Sequence, residues 1–153
     1  MNKTTLILDL DGVLITNPIW KPDEIDSDGY SKFNSDCVEN LNTLLAMASF
    51  EMWLSSTRRT VKSLDDFNRI FKHRNIKQEI NGFLPKYPEL NSRKEEIVQF
   101  LDQFKISDFL IIDDDKSLNG LELLIKEKLV LTEFMKGFNR DKLEEAKTTL
   151  ASK

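Results

Sequence analysis

Leu6-Ile7-Leu8-Asp9-Leu10-Asp11-Gly12-Val13-Leu14 is the stretch whose reading decides the fold. A short apolar run delivers two carboxylates, two residues apart, onto a glycine. In a β-strand, residues i and i+2 point to the same side, so Asp9 and Asp11 emerge together at the strand's C-terminal end. Open α/β sheets bind their ligands at that edge. Two later stretches repeat the pattern. Phe50 to Leu54 runs into Ser55-Ser56-Thr57-Arg58-Arg59, and Phe109 to Ile112 runs into Asp113-Asp114-Asp115.

Working outward, Thr4 to Leu10 reads as a buried strand, apolar and ended by acids and glycine. Residues 14–34 change character, with Pro18, Pro22, Gly29 and several acids, and read as a loop or small flap. Trp20, Tyr30 and Phe33 are expected to pack within it. Ser35 is placed to cap a helix running to about Ala48, with Cys37, Val38, Leu41, Leu44 and Leu45 on one face. Val61, Leu64, Phe67 and Phe71 recur at helical spacing. Residues 76–84 suggest a short strand and a turn, and Pro85 and Pro88 mark a loop. Ser92 with Glu95 forms a capping box for a helix carrying Ile97, Val98, Leu101 and Phe104. Leu129 to Leu131 reads as a further strand. Asn139 is placed to cap a last helix with Leu143, Ala146 and Leu150 inward. Strands alternating with helices imply an α/β fold, a three-layer Rossmann-like sandwich around a central, mostly parallel sheet. No linker divides the chain, so residues 1–153 are expected to form one domain.

Composition narrows the function classes. Hydrophobic residues make up 40% and charged residues 31% of the 153, ordinary values for a globular protein. The net charge of −4 argues against a protein that simply coats nucleic acid. Cys37 is the one cysteine, so no internal disulfide is possible, which fits a reducing compartment. The start of the chain lacks a basic region followed by an apolar run and a small-residue cleavage site. No apolar run approaches the roughly 20 residues of a membrane span. A cytoplasmic enzyme without a membrane partner is the expectation.

Four carboxylates brought to one sheet edge repel one another, and that repulsion raises carboxyl pKa values. A divalent cation relieves it. Oxygen-only ligands suit Mg²⁺, which takes a few carboxylates, waters and a substrate phosphate. A hydroxyl and a cationic side chain would complete a phosphate cradle, since phosphoryl transfer needs mainly positioning and charge neutralisation.

Taken in order, the motifs resemble those of the haloacid dehalogenase-like hydrolases. Asp9-Leu10-Asp11-Gly12-Val13 looks like the first motif, Ser55 like the second motif's hydroxyl, Lys94 like the third motif's cation and Asp113-Asp114 like the fourth motif's acidic pair. The resemblance implies an aspartyl-phosphate on Asp9, with Asp11 as general acid and then base. It also implies a hydrogen bond from Ser55 to the phosphoryl group and charge compensation by Lys94. Mg²⁺ would be held by Asp9, Asp113, Asp114 and the backbone carbonyl of Asp11. Gly12, Ser56, Arg58 and Arg59 would line the substrate's approach. Lys94 is preferred to Arg93 because Ile97, Val98 and Leu101 follow it at +3, +4 and +7. A narrower likeness, to a compact branch linked to RNA-repair proteins, favours Arg93, because an Arg begins the third segment there. Asp115 is an alternative to Asp113 at the metal.

The intervals from Gly12 to Ser55 and from Ser55 to Lys94 must each hold a helix, which leaves no room for a folded cap domain. An open site suits a phosphate on a polynucleotide end, a nucleotide or a phosphoprotein, with small phosphate esters as the alternative. Arg58, Arg59, Lys62, Arg69, Lys72, Arg74 and Lys77, with His73, stand against Asp65 and Asp66 and could guide a polyanion. A non-catalytic phosphate- or protein-binding relative is the competing reading. A phosphate-accepting receiver domain is disfavoured, because it carries its acidic pair after the first strand and its accepting Asp after a later one.

Overall fold

The computed structural model describes residues 3–152. Met1, Asn2 and Lys153 lie outside them. Five strands form one sheet: β1 (Thr4–Leu8), β2 (Phe50–Leu54), β3 (Gly82–Phe83), β4 (Phe109–Asp113) and β5 (Leu129–Leu131), in the order β3-β2-β1-β4-β5. Every pairing is parallel. Five α-helices accompany them: α1 (Ser35–Leu45), α2 (Leu64–His73), α3 (Arg93–Gln103), α4 (Leu123–Lys126) and α5 (Arg140–Ala151).

Side-chain alternation along the strands builds the two faces. Leu6, Leu8, Met52, Leu54, Leu110, Ile112 and Val130 belong to one core, shared with buried residues of α1, α2 and α5. Ile7 and Ile111 belong to the other, against Ile97, Phe100 and Leu101 of α3 and Leu118 and Leu121. These are the helix-sheet-helix layers that a doubly covered parallel sheet requires. All five residues of β4 are buried, so this strand shows no alternation in polarity, as expected for a central strand.

Register places the site. Leu8 pairs with Leu54 on one side and with Ile112 on the other. The next residue on each strand is therefore Asp9, Ser55 or Asp113, and these three form a row across the sheet's C-terminal edge.

Several local expectations shift by a residue or more. Asn34, not Ser35, caps α1, its side chain accepting from the N–H groups of Asp36 and Cys37. Ser92 accepts from the Glu95 N–H at 3.1 Å, whereas the reciprocal capping box forms at Ser63 and Asp66, at the start of α2. Val61 lies outside α2 and is 77% exposed, because residues 57–60 form a 3-10 turn first. The flap folds into a small hairpin. Asp26 and Tyr30 are joined by a backbone hydrogen bond, as are Glu24 and Lys32, around Gly29 at φ +84°. Tyr30 and Phe33 pack edge-on against Phe67 and Phe71. Trp20 does not follow them. It sits in the Pro18–Lys21 turn, 73% exposed.

Candidate active site

The row at the sheet edge is buried. Asp9 is 4% exposed, and Ser55 and Asp113 are fully covered. Asp9 Oδ1 accepts from the Leu10 N–H at 2.8 Å, while Oδ2 lies 3.6 Å from Arg93 Nη1. The same Arg93 nitrogen donates to Asp113 Oδ2 at 2.6 Å, and Ser55 Oγ donates to that oxygen at 3.4 Å. Arg93 thus bridges the two buried carboxylates from the first turn of α3, with its side chain 8% exposed.

This corrects the preference for Lys94. The buried face of α3 runs through Ile97, Phe100 and Leu101, and Val98 is exposed. Arg93 stands one turn before Ile97 on that face. Lys94 is rotated away: its Nζ lies beside Gly120, and its backbone N–H donates to Ser117 Oγ.

Asp9, Asp113 and Asp114 each place a carboxylate oxygen within 4.8 Å of the others. Burial and the neighbouring Asp113 hold the Asp9 carboxyl well above its ordinary range. The same two causes push Asp114 up to about 6. Three clustered acids, of which Asp9 and Asp114 resist losing their protons, are what a divalent cation would relieve, and their all-oxygen donor set fits Mg²⁺. Asp113 is the more committed member. Beyond Arg93 and Ser55, its Oδ1 accepts from the Asp115 N–H at 3.1 Å. Asp114 lies against Gly12, where an added Cβ would stand 2.2 Å from its Oδ2. Gly12 sits at φ +78°, so both conformation and space demand glycine there. Asp115 is outside the group. Its Oδ1 accepts from the Ser117 N–H and caps the turn at 116–120.

The turn after β1 is braced from far along the chain. The Leu10 carbonyl accepts from the N–H groups of Val13, Leu14 and Ile15. Thr132 Oγ1 donates to the Gly12 carbonyl at 2.6 Å, and the Phe138 N–H donates to the Val13 carbonyl at 2.8 Å.

Asp11 stands apart from the buried acids, its side chain 34% exposed. Arg58 grips it with two bonds, Nε to Oδ2 and Nη2 to Oδ1, both 2.8 Å. The remaining Arg58 donors reach Asp23 Oδ2 at 2.8 Å, and Tyr30 Oη and Ser31 Oγ at 3.2 Å. All its N–H groups are therefore engaged, and none is left pointing to an incoming substrate as expected. Arg59 is likewise internal. It donates to the carbonyls of Leu84, Ser55 and Ser56 and to Glu96, fixing the loop that carries Ser55. Ser56, also fully buried, uses its Oγ to accept from the Arg58 N–H. Arg74 is spent on the flap, donating to Asp28 at 2.6 Å and to the Tyr30 and Ser31 carbonyls. Of the basic 58–77 run, Lys62, Arg69, Lys72, His73 and Lys77 remain exposed.

Glu96 is a site residue that sequence reasoning missed. It pairs with Arg59 at 2.9 Å and lies 3.6 Å from Arg93 Nε, linking the second-strand loop to the bridging cation. Its i+3 spacing from Arg93 was the available signal. A second group, Asp26, Asp28 and His73, also brings ligand atoms together. There Arg74 already compensates the charge, holding Asp28 down to about 2.

The chain resembles, at 17% identity and a TM-score of 0.49, a solved hydrolase of the haloacid dehalogenase-like family from Streptococcus pneumoniae, over 94% of this chain and 90% of that one. No curated protein matches it. The family model described as the HAD domain in Swiss Army Knife RNA repair proteins matches residues 5–143. That span takes in the strand row, the bridging arginine and the acidic pair, and the chain belongs to this haloacid dehalogenase family.

Proposed function

We propose that the chain is a Mg²⁺-dependent phosphomonoesterase with Asp9 as nucleophile, acting on phosphorylated polynucleotide ends. The observation that carries the reading is the row Asp9–Ser55–Asp113 with Arg93 bridging its two carboxylates. Asp9, Asp113, Asp114 and the Asp11 carbonyl would hold Mg²⁺, which would supply charge neutralisation for the phosphoryl oxygens. Asp9 Oδ2 attacks phosphorus, and the bond from phosphorus to the leaving oxygen breaks. Asp11 gives its proton to that oxygen. Water then attacks the aspartyl-phosphate, Asp11 takes the water's proton, and the bond between phosphorus and Asp9 breaks. Arg93 offsets charge on Asp9 and the phosphoryl group, and Ser55 Oγ is placed to donate to it.

The family's description in RNA repair proteins supports a nucleic-acid end. So does an insert that reaches only the size of a hairpin, which leaves the acid/base candidate Asp11 partly exposed. The test is hydrolysis of a generic aryl phosphate with Mg²⁺, with chelator, and by Asp9→Asn. Activity is expected only with metal and intact Asp9. Full activity in Asp9→Asn sinks the mechanism, and inactivity throughout favours a non-catalytic binding relative. A preference for small esters over a phosphorylated oligonucleotide would move the substrate class and leave the mechanism standing.

A further inference from the structure

We propose that Arg58 is a positioning residue for Asp11, and that the flap, through Asp23, sets where Arg58 stands. The proposal rests on the aspartate-nucleophile reading above. Asp11 follows β1 on a loop and is partly exposed, so its carboxyl plane is not fixed by packing. The parallel pair of 2.8 Å bonds from Nε and Nη2 fixes that plane, as bidentate forks do. Arg58 is fixed in turn from its far side by three flap groups, the Asp23 carboxylate and the Tyr30 and Ser31 hydroxyls. Asp23 is itself held by Ser31 Oγ at 2.6 Å and Asn17 Nδ2 at 3.4 Å. Tyr30 is pinned edge-on to Phe67 of α2. A continuous chain of bonds therefore runs from the buried face of α2, through the flap, to Asp11.

Asp23→Asn tests this without altering any residue placed in the phosphate site. Two substrates are compared, an activated aryl phosphate and glycerol phosphate, whose alkoxide leaves only with a proton. The expected result is a fall of about tenfold or more in the single-turnover rate of leaving-group release from glycerol phosphate, within the range general acid catalysis supplies. The same rate on the aryl ester, whose leaving group departs without a proton, falls by less than about twofold, and KM is unchanged on both. Arg58→Lys, which keeps the charge and loses the fork, shows the same split. Equal losses on both substrates, a change confined to KM, or no change overturns the role of Arg58 alone. Absence of aryl phosphate hydrolysis by the wild-type chain overturns the reading of the whole site.

Discussion

Arg93 touches two carboxylates that have no other cation within salt-bridge reach of both among the described residues, and its removal leaves them facing each other in a buried place. Arg93→Ala is expected to lower kcat/KM on an aryl phosphate by about 100-fold, the scale for losing one charge-stabilising donor in a closed site. Lys94→Ala is expected to stay within about twofold, and steady-state kinetics on the two variants checks both. Asp114 gives a pH prediction. Its folded pKa of about 6 lies above its ordinary 3.8. Between these values the folded chain holds more protons than the unfolded one, so this group's contribution to stability falls as pH rises from 4 to 6. The raised Asp9 carboxyl acts in the same direction. Thermal melts of the metal-free protein should show that decline, and Mg²⁺ should raise Tm at pH 7.5 and little at pH 4.5. Asp114→Asn should flatten the decline and remove most of the metal's effect. A metal-independent melt at pH 7.5 would contradict the assignment.

Among the elements, the flap depends most on single bonds. Arg74, with its side chain 4% exposed, holds it through Asp28 and two carbonyls. Arg74→Met keeps an apolar stem, removes the guanidinium stacked over Phe33 and strands those acceptors. It should cost about 2 kcal/mol in urea denaturation, and proteolysis within residues 17–30 should quicken. The strands and long helices were legible in sequence because their apolar spacing is regular and the parallel sheet has few alternatives. The phase of α3 was not. Ile97 and Leu101 fit a face starting at either Arg93 or Lys94, and only the residues packed against Phe100 decide between them. Arg58 and Arg59 were misread for a related reason. Their nearness to Ser55 is visible in the chain, but their acceptors, Asp11, Asp23, Leu84 and Glu96, come from elements distant in sequence. Short pieces held by one or two tertiary bonds, such as α4 and the 3-10 turn at 57–60, carry too little periodicity to read.

For the molecule as a whole, no helix among the described residues is long and apolar enough to cross a membrane. The cations free to meet a polyanion are fewer than the basic 58–77 run suggested, since Arg58, Arg59 and Arg74 are used internally. If a polynucleotide end is the substrate, Lys62 and Lys72 on the exposed side carry the encounter. Replacing both with Ala should flatten the slope of log kcat/KM against log salt by about 1.5 on a phosphorylated oligonucleotide. It should leave the aryl ester untouched. The bonds that brace the first-strand turn reach it from Thr132 and Phe138. A ribosome makes Asp9 and Asp11 more than a hundred residues before those braces. The nascent protein therefore carries the proposed nucleophile without the scaffold that shapes its turn until β5 and the segment after it have been made and docked.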